Sequence, residues 1–486
     1  MNDEVSERWR RYGYPRYAHD ATHPARLRTI AHWLGVQAPP TRTARVLELG
    51  CAAGDNLIPM AARLPNARFV GIDLNAKAIA LGQSMAADQG LDNLELSVCD
   101  LRDFAHDDGP FDYIIAHGLY SWIPDDARDA MMALVARHLS PEGIAHISYN
   151  TLPGWRVWGV FREMLLERFG HLDDPVTQAE YSLDYMNWLL ESQPGGDAWW
   201  ASLVRSEHFR LNLGQVINVA HDQLSPVNDP VWTREFVAHA AQHDLVWMGL
   251  ADLDDNFLAR RPEATSQLVD GVVDRVERAT MMDGVVGRTF SHAVLCHRGR
   301  LPHLPTQPLA GAYWWAVLER PDEPHLDDDE PVSFSSAENT ASIEVQSPLF
   351  KHALDLLAST QPFTLPQLGA ALRGRLGFAR VTEADLSDIE RALFEWARMG
   401  LIRGDVEDPA PVLQPSNRPI VDPCVRYAAA NQHPVIGRRH NMVQVDEIDR
   451  LLLPLLDGEH DLYDVARVLE ERLGKGPLGG VRQDAE

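Results

Sequence analysis

The sequence predicts an α/β protein: a doubly wound, mostly parallel sheet with a helical insertion and a C-terminal winged-helix-like α+β domain. Three observations carry this. Strand and helix patterns alternate from about 44 to 150, which calls for a parallel sheet. An apolar strand, Val46-Leu47-Glu48-Leu49, runs through the small-residue turn Gly50-Cys51-Ala52-Ala53-Gly54 into a helix start at Asp55-Asn56-Leu57. A second apolar run, Phe69-Val70-Gly71-Ile72, closes on an acid, Asp73. A nucleoside-bearing cofactor at the edge of a parallel sheet fits this pattern.

The elements follow in order. Residues 21–35 read as a capped helix, with Thr22 at the N-cap, Pro24 in the first turn and Gly35 as the stop. Strands are expected at 45–49, 69–73, 94–98, 111–116 and 144–149, with helices at 55–64, 76–89 and 126–139. Residues 155–220 read as helical and carry Trp155, Trp158, Trp188, Trp199 and Trp200. A helix at 233–243 and strands at 245–250 and 289–298 follow, and these strands are expected to complete the first sheet as an antiparallel pair. The acidic, proline-containing stretch 319–333 reads as a solvated linker. Helical patterns at 347–358, 365–374 and 383–399, with the apolar run Leu401-Ile402, resemble a winged helix, and a helix pair at 445–456 and 461–473 follows. The expected domains are an N-terminal arm (1–43), a core (44–154), a helical insertion (155–230), a region completing the sheet (231–318), the linker, and the C-terminal domain (334–486).

Composition bounds the function. At 486 residues, two or three domains are expected, and 45% hydrophobic content suits a globular core. No apolar run is long enough to span a bilayer and the N-terminus lacks an apolar signal core, so a cytoplasmic location without membrane insertion is expected. Cys51, Cys99, Cys296 and Cys424 are scattered, which argues for a reduced compartment and against a disulfide framework or zinc site. The net charge of −26 argues against nucleic acid and favours a cationic or neutral substrate. The C-terminal block shares this sign, with 16 Lys and Arg against 23 Asp and Glu, so a protein-contact role is expected there.

The turn narrows the cofactor. Small residues at Gly50, Ala52 and Gly54 allow a ligand close to the backbone, and the free amides of the next helix attract an anion such as a carboxylate. A dinucleotide fingerprint needs glycine at the first, third and sixth turn positions, which here are Gly50, Ala52 and Asp55. The pattern instead resembles the first motif of class I S-adenosylmethionine-dependent methyltransferases, an acid followed by spaced small residues, with Glu48 as the acid. Asp73 can accept both ribose hydroxyls. The resemblance implies that Asp100, after the third strand, binds the adenine amino group. After the fourth strand comes Ala116-His117-Gly118-Leu119-Tyr120-Ser121-Trp122, where such enzymes face methyl donor and acceptor. The Asn/Asp-Pro-Pro-aromatic signature of nucleic-acid amino-methylating enzymes is absent there. Tyr120 and Trp122 can form an aromatic wall that favours a cation.

Together with Ser148-Tyr149-Asn150-Thr151-Leu152-Pro153-Gly154-Trp155, this turn resembles bacterial methyltransferases with a regulatory middle domain, including protein lysine methyltransferases that act on outer-membrane proteins. Tyr12-Gly13-Tyr14-Pro15-Arg16-Tyr17, Thr22-His23-Pro24 and His221-Asp222-Gln223-Leu224 with Phe236-Val237 are also similar to that family, over most of the chain. The middle-domain motif departs from the usual His-Glu-Tyr-Leu at Asp222 and Gln223. The resemblance implies a Rossmann-like core and S-adenosyl-L-methionine held by Tyr14, Tyr17, Glu48, Gly50, Ala52, Gly54, Asn56, Asp73, Leu74, Asp100, Leu101 and His117. No metal site is expected. A lysine acceptor must lose a proton before it attacks, and His117, Tyr120 and Tyr149 are the candidate catalytic groups. The expected partner is a protein or peptide, lysine-bearing under this reading. The rival readings are a methyltransferase on a small molecule or modified peptide, and a non-catalytic cofactor-sensing scaffold. The tryptophan-rich insert and the winged helix are candidate homodimer surfaces.

Overall fold

The computed structural model describes residues 14–193, 198–251, 271–300, 311–316, 325–336, 342–358, 361–377, 381–408 and 416–475, with positions 267, 269, 318, 319 and 321 between them. Tyr12, Gly13 and part of the 319–333 segment therefore lie outside the described residues.

A seven-stranded sheet organises the chain. Its strands are β1 (Arg45–Leu49), β2 (Arg68–Asp73), β3 (Leu94–Val98), β4 (Phe111–Ala116), β5 (Leu139–Asn150), β6 (Leu245–Leu250) and β7 (Phe290–His297). Their order is β3-β2-β1-β4-β5-β7-β6. The first five are mutually parallel, and β7 pairs antiparallel with both β5 and β6. The expected pair thus joins the first sheet, with β7 alone running against the rest. Strand order reverses between β1 and β4, the switch point where open α/β sheets leave a crevice at the strand ends.

Helices α1 (Pro24–Trp33), α2 (Leu57–Arg63), α3 (Ala76–Asp88) and α4 (Asp125–His138) cover the sheet. Both faces are buried, so the strands read as continuous apolar runs rather than alternating ones. Val46, Phe69 and Ile115 face α1 and α2, while Leu47, Val70 and Ile114 face α4. Thr22 is not the N-cap of α1: His23 Nδ1 accepts from the Ala25 amide at 3.2 Å. The buried Thr22 hydroxyl is drawn away by Asn56 and the His19 carbonyl.

After β5 the chain leaves the sheet through a contact that only glycine permits. A side chain on Gly154 would meet the carbonyl oxygens of Gly287 at 2.1 Å and Arg288 at 2.5 Å. The insertion then forms α5 (Gly154–Phe169), α6 (Pro175–Glu191) and α7 (Trp199–Asn212), with its own core around Phe161, Leu165, Met186 and Val204. Trp200 stacks on Phe161 at 5.4 Å, while Trp199 is exposed. The insertion ends in a π-turn, Val219–Gln223, before α8 (Thr233–Gln242) returns to the sheet.

The C-terminal half departs from the sequence reading in two places. Strand Tyr313–Ala316, inside the region read as completing the sheet, is the centre of a separate three-stranded sheet with Phe363–Thr364 and Ile402–Asp405. The buried Trp314 decides this, packing on Trp33 at 5.6 Å and over Gly404. The acidic 319–333 stretch is also partly built into the fold. Val332–Ser336 pairs with Leu318–Glu319 and Ser342–Val345, and the fully buried Lys351 ammonium donates to the carbonyls of His325 and Asp328. A buried ammonium needs such acceptors, and that need orders the described turn. Beyond these come helices Pro423–Ala430, Glu447–Leu452 and Leu462–Lys475, the first of which packs against α2.

Candidate active site

A cavity of about 680 Å³ opens at the strand ends beside the switch point. Its floor is the β1 turn. Gly50 and Gly54 have φ of +76° and +73°, in the region that side chains disfavour, and Ala52 joins them at +48°. Gly54 lies behind the wall, where an added Cβ would stand 3.0 Å from Leu96, while Gly50 and Ala52 line the cavity. The turn is braced by Asp73, whose carboxylate accepts from the amides of Ala52 at 2.9 Å and Asn75 at 2.8 Å. Burial pushes the Asp73 carboxyl up and these amides pull it back. Asp73 and Leu74 both face the cavity.

Glu48 projects from β1 and is 4% exposed. Its Oε1 accepts from Asn56 Nδ2 at 2.9 Å, and its Oε2 has no partner among the described residues. Burial pushes this carboxyl up to about 8. Asn56 is a hub: its Oδ1 also accepts from the His19 amide at 3.1 Å and faces His440 Nε2 at 2.7 Å. His440 comes from the far end of the chain. Asp100 and Leu101 form another wall. Arg102 holds the Asp100 carboxylate at 2.5 Å, which lowers its proton affinity.

The expected cofactor residues therefore gather in one place, Gly54 alone standing behind the lining. The candidate catalytic groups divide. His117 lines the cavity, with the His19 ring 3.8 Å from its own. Tyr120 and Tyr149 do not. Tyr149 stacks on Phe236 at 4.2 Å and its hydroxyl meets Thr233 Oγ1 at 2.9 Å. The Tyr120 hydroxyl meets His239 Nδ1 at 2.9 Å, and burial lifts it to about 12. Both side chains pack in the layer between sheet and α8, which removes them from any substrate in the cavity. Tyr149 lies within the end of β5, where the pleat turns it to the α8 face, and Tyr120 sits in the turn Tyr120–Trp122 beyond β4.

The opposite wall joins Trp122, expected there as an aromatic wall, to the helical insertion, expected as a substrate lid or dimer surface. Trp122, Trp155 and Trp158 form a chain of edge contacts at 5.9 and 4.9 Å. The Arg210 guanidinium lies 4.3 Å over Trp158 and is held by Glu207 and Gln223. Asp222, from the π-turn, accepts from the Tyr14 hydroxyl at 3.1 Å, and burial pushes it up to about 6. Tyr17 lines the cavity beside Tyr14. Arg16 reaches across to Asp55 at 2.5 Å, tying the N-terminal arm to the turn. The His221-Asp222 motif and the tryptophans were visible signals for this wall; His19 and His440 had none.

Three family models match along the chain. A methyltransferase domain matches residues 46–143, a predicted methyltransferase regulatory domain matches 218–297, and a PKMT C-terminal winged helix domain matches 417–485. The uncharacterized protein RP028 of Rickettsia prowazekii is 33% identical over 230 residues, 47% of this chain and 91% of that protein. The chain belongs to the class I S-adenosylmethionine-dependent methyltransferases of the regulatory-domain family. The uncharacterized protein RP789 of the same organism is 34% identical over 287 residues, and the chain spans about half of its length (51%). The structure of PKMT2 from Rickettsia typhi superposes with a TM-score of 0.88 at 25% identity, over 96% of this chain and 93% of that one. The same protein in complex with AdoHcy superposes at 0.87, over 95% and 92%. In this methyltransferase the regulatory-domain match contains Asp222, β6 and β7, so that domain completes the sheet and contributes to the cavity wall opposite the glycine turn. The winged-helix match covers only the last part of the 334–486 block and contains His440.

Proposed function

We propose that the protein transfers a methyl group from S-adenosyl-L-methionine to a lysine side chain of a protein. One observation carries the reading. A single cavity has the glycine turn and Asp73 on one wall and, on the other, Asp222 with an aromatic surface from the insertion. The first wall suits the donor. Asp73 keeps lone pairs for ribose hydroxyls beyond the two amides it already accepts. The second suits a cation: a carboxylate and tryptophan faces stabilise an ammonium or a sulfonium. PKMT2 of Rickettsia typhi, whose fold this chain shares almost throughout, supports the same reading.

The transfer is an in-line displacement at an already activated methyl, so the protein mainly positions two partners. The acceptor amine must first shed its proton. Asp222, ionised above about pH 6, holds the incoming ammonium and is the nearest proton acceptor on that wall. Tyr14, whose hydroxyl burial keeps protonated, orients it. His117 closes the wall between donor and acceptor. The scaffold reading would require a filled acceptor side, whereas the cavity is open there. A cytoplasmic location and a homodimer through the exposed Trp188, Trp199, Phe209 and Leu213 of the insertion belong to this proposal; among the described residues no helix is long and apolar enough to cross a membrane.

The test is incubation of the protein with labelled donor and bacterial outer-membrane proteins, read by mass spectrometry. Methyl groups on lysine are expected. Label confined to small molecules, or to no acceptor at all, would sink the proposal.

A further inference from the structure

Three histidines converge behind the cavity wall. His117 follows β4, His146 lies in β5 and His292 in β7, three adjacent strands of the sheet. Their potential ligand nitrogens all lie within 4.8 Å of one another. His146 Nε2 and His292 Nδ1 are 3.2 Å apart. The ring centres are 5.4 Å (His117 to His292), 5.4 Å (His146 to His292) and 5.9 Å (His117 to His146) apart.

These spacings match a known geometry. Three imidazoles bound at about 2.1 Å to a tetrahedral ion place their nitrogens roughly 3.4 Å apart and their ring centres roughly 5.3 Å apart. The donors are of the right kind, since neutral imidazole suits zinc and its first-row neighbours. The Nδ1 atom of His117 is buried with no hydrogen-bond partner among the described residues. Buried polar atoms are normally paired, so the pattern calls for an explanation.

We propose that His117, His146 and His292 form a binding site for one divalent transition-metal ion of the zinc class. His19 is not a ligand in this arrangement. Its ring centre lies 3.8 Å from that of His117, which is stacking distance and too close for two imidazoles on one ion. Three protein ligands leave the fourth position to water or a ligand, as in open rather than closed zinc sites. Because the ligands come from three paired strands, the site is rigid, and an ion there fixes the orientation of His117 in the cavity wall. A second group, Asp129 with His239 and His243, offers a carboxylate and two imidazoles but sits at the surface, with Asp129 exposed and already bridging both histidines. The buried site is the one proposed.

The experiment uses the tag-free full chain. The protein is equilibrated with zinc against a weak competing chelator, and bound metal is counted by mass spectrometry. One ion per chain is expected. The His146→Gln, His292→Gln double variant should lose it, while Asp129→Ala should keep it. No bound ion in the unaltered protein, or an ion retained by the double variant, would overturn the site. Cobalt(II) loading of the unaltered protein covers the case of a variant that does not fold. Intense visible absorption of a four-coordinate ion supports the site; the weak spectrum of a six-coordinate ion refutes it. The readout is metal content, so it stands apart from the identity of the methyl acceptor.

Discussion

Asp222 shows how one residue's surroundings set its use. It is short, half-buried and hydrogen-bonded to Tyr14, and desolvation raises it to about 6. Below that pH the carboxyl is neutral and cannot hold an ammonium; above it the anion is available. Activity, as kcat/KM, should therefore climb through about pH 6 to a plateau near neutrality. Asp222→Asn should remove that climb and lower the plateau by roughly 10²-fold or more, in line with general-base contributions. Tyr149→Phe, lying off the cavity, should leave the profile unchanged and cost about 1 kcal/mol of stability from its bond to Thr233. Glu48 makes the converse case for stability. Its folded-state affinity for a proton is raised from 4.5 to about 8, so the folded chain prefers it neutral. Its contribution is fully present below about pH 4.5 and is lost as pH rises through about 8. In ligand-free protein, Glu48→Gln should match the wild-type melting temperature at pH 5 and exceed it by a few degrees at pH 9. A variant less stable at both pH values would disprove this account.

At the scale of elements, the site depends on how closely α3 approaches the glycine turn. A side chain on Gly82 of α3 would stand 2.4 Å from the Ala53 carbonyl oxygen. Helix and turn must part to admit it. Gly82→Ala should cost about 1–3 kcal/mol of stability, the usual range for overpacking. It should also weaken S-adenosylmethionine binding severalfold, because the turn moves with the helix; calorimetric titration measures this, and unchanged affinity would show that the turn is held by Asp73 alone. Sequence periodicity located the strands to within a residue or two, β5 excepted, because each is bounded by turn residues. It could not show that Tyr313–Ala316 leaves the first sheet, since apolar strands carry no label for their partner. It also read the acidic 319–333 segment by composition, whereas Lys351, far along the chain, supplies the charge that fixes its described turn.

At the scale of the whole molecule, the C-terminal region is wired to the cofactor turn. Arg63, in α2 just beyond that turn, pairs with Asp422 at 2.8 Å and donates to the carbonyls of Ile436 and Gly437, both at 2.7 Å. One step away His440 reaches Asn56, and Asn56 reaches Glu48. Buried networks of this kind couple the parts they join. Arg63→Ala should loosen the contact, so that limited proteolysis cuts sooner within 417–475 and donor affinity falls. Unchanged proteolysis together with unchanged affinity would disconnect the two regions.

The chain alone determined the sheet and the donor turn with its acids. These are local: a strand, a tight turn and a strand-end carboxylate each leave their mark within a few residues. Only the tertiary structure decided which groups line the cavity opposite that turn. It turned Tyr120 and Tyr149 into the core, brought Asp222, Trp155 and Trp158 from the insertion to the cavity, and set His440 behind Glu48. Those placements depend on strand pleat and on contacts hundreds of residues apart, which leave no pattern in the sequence around any one residue.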